Sequence, residues 1–230
     1  EAPRRPAAMS TAAAALRSTP APLVALDWGT TALRGARVGA DGAVQEERSF
    51  AEGILTVPAG GFEALFDARF GDWLADGARC LVAGMAGSRQ GWREAPYVAT
   101  PAGAGDLASR LDWVRPGRVA IVPGVRTERG GVPDVMRGEE TQVFGALDLL
   151  GLDGGTFVLP GTHSKWVRVE GRRIVSFTTA MTGEFYALLR RHSLLARTLP
   201  EVEAPWQPEA FDAGVDRALA APSLLQTAFS

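Results

Sequence analysis

One short phrase occurs twice in this chain, and no other feature constrains its fold as much. The first copy is Leu26-Asp27-Trp28-Gly29-Thr30-Thr31-Ala32-Leu33-Arg34, running on to Arg37-Val38. The second is Leu159-Pro160-Gly161-Thr162-His163-Ser164-Lys165-Trp166, running on to Arg168-Val169. Each reads as an apolar strand, a Gly-Thr turn, and a second strand carrying a cation. Such a turn directs backbone N–H groups and hydroxyls into one concavity, a shape that suits phosphate oxygens. Two of them, one from each half of a duplicated fold, would grip the phosphates of a nucleotide from both sides. The second copy also holds the chain's only lysine, Lys165, among 24 basic residues. A compact, mobile ammonium stands out against that arginine background.

The segments around the turns repeat as well. Extended segments are expected at 23–28, 32–38 and 43–50, the last two joined across Gly39-Ala40-Asp41-Gly42, a hairpin signal. A helix is expected at 61–75, where Phe62, Leu65, Phe66, Phe70 and Leu74 recur at helical spacing. A buried strand at 79–85 runs into the glycine-punctuated loop Gly84-Met85-Ala86-Gly87-Ser88-Arg89-Gln90-Gly91-Trp92. A short helix at 106–111, a strand at 119–122 and a helix at 137–150 follow. After Gly151-Leu152-Asp153-Gly154-Gly155 the pattern restarts, with strands at 156–159, 165–169 and 173–178 and a helix from Thr182. Strand-strand-strand-helix thus occurs twice. A loop at 200–208 and a helix at 211–220 come next. Residues 1–22, rich in Ala, Pro and Arg, read as a disordered leader. Residues 23–152 read as a first domain, and 153–230 as a second that stops short of the first.

Composition narrows the class. Hydrophobic content of 46% and charged content of 22% are ordinary for a soluble globular chain. A net charge of −2 makes no electrostatic case for nucleic acid or an anionic membrane. No apolar run approaches the ~20 residues of a membrane span. The lone Cys80, inside Cys80-Leu81-Val82-Ala83, excludes an internal disulfide and reads as a core thiol. The expectation is a cytoplasmic protein.

Three segments carry candidate chemistry. At the first turn, Asp27 suits a magnesium ion held through water, while Gly29, Thr30, Thr31 and Arg34 suit phosphate. At the second, Gly161, Thr162 and Lys165 suit phosphate or a substrate carboxylate; His163 taken alone reads as a structural histidine. The third is Pro133-Asp134-Val135-Met136-Arg137-Gly138-Glu139-Glu140-Thr141-Gln142. Phosphoryl transfer to an alcohol needs positioning, charge neutralisation and a carboxylate to take the hydroxyl proton. Glu139 and Glu140, at a helix start, answer that need, although acids there also compensate the helix dipole. Familiar alternatives fail: there is no Gly-x-x-x-x-Gly-Lys-Ser/Thr loop. Gly103-Ala104-Gly105-Asp106-Leu107-Ala108 fits a dinucleotide pattern, but Thr100-Pro101 breaks the strand that should precede it. The two histidines lack metal-ligand spacing.

Together these features resemble the sugar kinase and actin superfamily. Its fold is a pair of duplicated actin-like, or ribonuclease H-like, ATPase domains: α/β, with mixed sheets and flanking helices. Four blocks go further and resemble the 2-dehydro-3-deoxygalactonokinase family: the loop 84–92, Asp134–Gln142 as quoted above, 159–166, and Met181-Thr182-Gly183-Glu184. The resemblance covers roughly 23–218. It implies ATP-dependent phosphorylation of 2-dehydro-3-deoxy-D-galactonate at its terminal hydroxyl, with ATP and Mg2+ as cofactors. On it, Asp27 is the magnesium-side acid, Gly138-Glu139 is the nearest equivalent of the family's base, and Glu140 is the alternative. Arg89 and Gln90 fall to the sugar-acid carboxylate and hydroxyls, with Arg137 and His163 placed beside the substrate. The implied partner is a small sugar acid, with a homodimer left open. Family members continue into a segment that holds adenosine, so the second domain is expected to be truncated here. Two rival readings use the same residues: a kinase for another 2-keto-3-deoxy acid, and a fragment that binds sugar acid without turnover.

Overall fold

The computed structural model describes residues 21–200, 202 and 205–229. The expected leader therefore lies outside the described residues, apart from its last two. In chain order the strands are β1 (Leu23–Trp28), β2 (Leu33–Val38), β3 (Val44–Phe50) and β4 (Arg79–Gly84), with helix α1 (Phe62–Phe70) between β3 and β4. Then come β5 (Tyr97–Ala99), β6 (Ala102–Gly103), α2 (Ala104–Ala108), β7 (Asp112–Arg115), β8 (Val119–Ile121), β9 (Gly124–Arg129), β10 (Val132–Met136) and α3 (Glu139–Leu150). The chain goes on through β11 (Gly155–Leu159), β12 (His163–Glu170), β13 (Arg173–Met181), α4 (Gly183–His192), α5 (Pro208–Ala220) and α6 (Leu224–Phe229). This is a mixed α/β architecture, and the order β-β-β-α occurs at β1–α1 and again at β11–α4.

The main sheet has six strands in the order β3-β2-β1-β4-β8-β7. β1 is central, antiparallel to β2 and parallel to β4. Its alternation sets the two faces of the sheet. Val24, Leu26 and Trp28 are buried, while Ala25 and Asp27 point the other way. The buried face meets the apolar stripe of α1, so Phe62, Phe66 and Phe70 join Trp73, Trp28 and Trp92 in one core. Ring centroids lie 5.3 Å apart for Trp28–Phe62 and for Phe66–Trp92, and 5.1 Å for Phe70–Trp73. Such pairs add about 0.5–1.5 kcal/mol each beyond burial. The indole N–H groups do not go unpaired: Trp28 Nε1 donates to Glu52 O at 3.0 Å and Trp73 Nε1 to Glu46 Oε2 at 3.0 Å. Cys80 sits in this core, and burial pushes its thiol pKa up, so it is an inert packing residue.

Two smaller sheets have the orders β10-β9-β5 and β11-β12-β13-β6. The described residues divide into two compact units, the first running to 157 and taking in 167–177, the second made of 158–166 and the residues from 178 on. The division runs through strands rather than through the glycine linker at 153–155. In the second unit none of the described residues of α4, α5 and α6 is buried. No helix among the described residues is long and apolar enough to cross a membrane.

Candidate active site

The first Gly-Thr turn caps the β1–β2 hairpin. Gly29 N donates to Ala32 O at 2.9 Å and closes it, leaving Thr30 and Thr31 exposed at the tip. A second segment braces it from behind. Ile54 N donates to Gly29 O at 3.0 Å and Leu55 N to Thr30 O at 3.3 Å. This contact requires Gly53, because a Cβ there would lie 2.2 Å from both Thr30 O and Thr31 N. The backbone of Gly53 is ordinary, with φ −70°, so the cost of a side chain is steric alone. Gly53→Ala is expected to lower stability by about 1–3 kcal/mol, seen as an earlier midpoint in denaturant with an unchanged slope.

Asp27 stands at the end of β1, directly across the ladder from Arg34 and beside Ala83 of β4. Its surroundings raise the carboxyl pKa by desolvation, and Arg34 pulls it back. A cleft of about 620 Å3 runs along this face of the sheet, lined by Asp27, Arg34, Ala25, Ala83 and, from α3, Thr141. Two glycines explain how α3 gets so close. A Cβ on Gly84 would lie 3.0 Å from Asp27 Oδ1, and one on Gly138 would lie 3.2 Å from Gly84 Cα. Both have positive φ, +87° and +108°, which L side chains rarely adopt. The ends of β1 and β4 and the start of α3 thus meet around two bare α-carbons.

The acids at that helix start have different environments. Glu139 is partly exposed, and its Oε2 accepts from Arg137 N at 2.9 Å. Glu140 is completely buried, and its two carboxyl oxygens accept from Gly138 N at 2.9 and 2.8 Å. Burial pushes the Glu140 carboxyl up to about 8. The two acids, adjacent in sequence, thus differ in burial. Arg137 is also inside, 8% exposed. Its Nη2 donates to Ala95 O at 2.7 Å and its guanidinium lies 4.3 Å over the Tyr97 ring. Its Nε and Nη1 are buried with no hydrogen-bond partner among the described residues. Arg89 and Gln90 are exposed on the loop after β4.

The second Gly-Thr turn belongs to the second unit and is stitched to the start of α4. Gly183 N donates to Gly161 O at 3.1 Å, and Glu184 N to Thr162 O at 3.1 Å. Ser164 Oγ and Thr182 Oγ1 share a hydrogen bond of 2.6 Å, and Thr182 Oγ1 donates to Gly161 O at 3.0 Å. Gly161 and Thr162 remain exposed. His163 pairs with Glu184, which fits the structural reading of that histidine. Lys165 departs from expectation: it is 6% exposed, inside β12, with Nζ donating to Thr179 Oγ1 at 2.8 Å. A phosphate there would have to draw the ammonium away from that hydroxyl.

Among the described residues no three His, Cys, Asp or Glu side chains cluster as a metal cage. Magnesium carried in on a nucleotide needs no cage, since one or two carboxylates with waters and phosphate oxygens suffice. Asp27, open to the cleft and bordered by the bare Gly84, fits that donor set.

Comparison with known proteins shows the family. A family model described as 2-keto-3-deoxy-galactonokinase matches residues 27–230. A Rhizobium meliloti (strain 1021) protein named "Probable 2-dehydro-3-deoxygalactonokinase DgoK1" is 41% identical over 182 residues, covering 78% of this chain and 60% of the relative. The 2-dehydro-3-deoxygalactonokinase of Escherichia coli (strain K12) is 36% identical over 206 residues, covering 90% and 68%. The crystal structure of a Sinorhizobium meliloti protein of the same designation is 39% identical and superposes with a TM-score of 0.79, covering 88% of this chain and 68% of that one. This chain therefore spans about 60% of the length of the first of these relatives. With a match from Asp27 to the last residue and two relatives above a third identical, the chain belongs to the 2-keto-3-deoxy-galactonokinase family.

Proposed function

We propose that this chain carries the phosphate and acceptor machinery for ATP-dependent phosphorylation of 2-dehydro-3-deoxy-D-galactonate at its terminal hydroxyl. The observation that carries the reading is the meeting of Asp27, Gly84 and the Gly138–Glu140 helix start, in a chain of this family. Phosphoryl transfer through a loose transition state asks for alignment and charge neutralisation more than for covalent chemistry. The Thr30 and Thr31 hydroxyls and Arg34 receive phosphate oxygens at the first turn, and Gly161 and Thr162 form a second phosphate-binding turn. The positive end of the α3 dipole favours the charge that builds as the phosphoryl group moves. Glu139, partly exposed at that end, takes the proton from the attacking hydroxyl. Glu140 and Arg137 hold the backbone around it. Asp27 would hold the magnesium ion of MgATP, which would offset phosphate charge. The recurrence of β-β-β-α supports a duplicated actin-like fold for the whole protein.

The test is ADP release from MgATP by the chain, with and without 2-dehydro-3-deoxy-D-galactonate. Release that depends on both the sugar acid and magnesium is expected. A folded chain that gives no ADP above the background seen without acceptor sinks the reading.

A further inference from the structure

Arg137 stands just before the Gly138–Glu139 start of α3, and its main chain and side chain serve different segments. Its backbone N–H donates to Glu139 Oε2 at 2.9 Å, which fixes that carboxylate at the helix start. Its side chain reaches the neck of the loop that follows β4. There the loop closes on itself: Arg93 N donates to Ala86 O at 3.3 Å and Ala95 N to Gly87 O at 2.9 Å. The guanidinium touches both sides of this closure. Nη2 donates to Ala95 O at 2.7 Å, and Nη1 lies so close to Gly87 that a Cβ there would fall 2.6 Å from it and 2.9 Å from Ile121 Cγ2. Gly87 does not have a positive φ, so its bare Cα serves this fit and not a turn.

The placement weighs against the fold by itself. Arg137 is 8% exposed. Nη2 meets a carbonyl while Nε and Nη1 are unpaired, so no carboxylate hydrogen-bonds the guanidinium among the described residues. A buried cation in that state costs stability, and the Tyr97 ring 4.3 Å away offsets only part of the cost. An apolar side chain of the same length would sit there more favourably.

We infer that Arg137 is a positioning residue for phosphoryl transfer: its guanidinium clamps the neck of the 86–95 loop to the start of α3, so that loop and Glu139 keep one fixed relation. Buried as it is, it acts through the loop and the helix start rather than on the acceptor. What the clamp serves rests on the kinase reading; the clamp itself does not.

Arg137→Met, which removes the guanidinium and keeps the length, tests it. The variant is expected to melt at or above the wild-type temperature at neutral pH. Amide exchange within 86–95, followed by mass spectrometry, should speed up at least tenfold while β1 and α1 exchange as before. With MgATP and 2-dehydro-3-deoxy-D-galactonate, kcat should fall at least tenfold and KM for MgATP should stay within threefold. Gly87→Ala, which pushes on Nη1 from the loop side, should give the same exchange and kinetic signature. The double variant should be no slower than the slower single one, because both break one contact. A melting temperature well below wild type, unchanged exchange in the loop, or a full rate in Arg137→Met overturns the inference. If wild type itself releases no ADP, the kinase reading falls, and melting and exchange still decide the clamp.

Discussion

Asp27→Asn is expected to lower kcat for magnesium-dependent ADP formation by about a hundredfold to a thousandfold, the loss typical of removing one preorganised group from a reacting charge. The side chains are nearly isosteric, so the hairpin should not move. Stability should stay level or rise slightly. Desolvation is the larger effect on the Asp27 carboxyl, so the charged form is held in the fold at a cost, and the amide removes that cost. Loss of Arg34's partner works in the other direction and is smaller, because Arg34 is exposed. An activity loss without a stability loss marks a residue kept for function rather than folding. Initial rates over a magnesium series, beside thermal melts, check both halves. A rate within threefold of wild type would take Asp27 off the phosphate.

How much of this was legible in sequence can be argued strand by strand. β1 matched the reading to the residue because Val24, Leu26 and Trp28 alternate cleanly and the Gly-Thr turn ends the run. The small sheet of β5, β9 and β10 was not read at all. Pro133 sits inside β10, and a proline argues against a central strand. β10 is an edge strand in its sheet, a place where proline is tolerated, so tertiary position overrode the local signal. The start of α3 was read at Arg137 but lies at Glu139, because Gly138 at φ +108° cannot be helical. The second unit's turn was read two residues too long: β12 begins at His163 rather than Lys165, which carries Lys165 into the interior. The candidate residues themselves were visible as motifs. What brings them together was not, since the approach of Gly84 to Gly138 and of Gly53 to the first turn are contacts between distant segments. A bare glycine in sequence does not say which backbone it admits.

Glu139 and Glu140 should separate cleanly. Glu139→Gln is expected to cut kcat by about 10²–10⁴, the usual worth of a general base, with KM for the sugar acid little changed. Glu140→Gln should keep most of the rate, because the amide oxygen can still accept from Gly138 N and no charge is lost from the reacting hydroxyl. Its signature lies instead in stability against pH. The Glu140 carboxyl, ordinarily near 4.5, is raised to about 8 in the fold by burial. The folded chain therefore holds that proton more tightly than the unfolded chain does. The stability linked to it is fully present below the unfolded value and is lost as pH rises through the folded one. Wild type should weaken by on the order of a few kcal/mol between about pH 5 and pH 8 from this group alone. Glu140→Gln should flatten that slope, because it has no proton to lose. The opposite kinetic result is equally informative. If Glu140→Gln silences the chain and Glu139→Gln does not, the base is the buried acid. Its raised pKa then requires activity to fall away below about pH 8, a limb that a rate–pH profile of wild type would show directly.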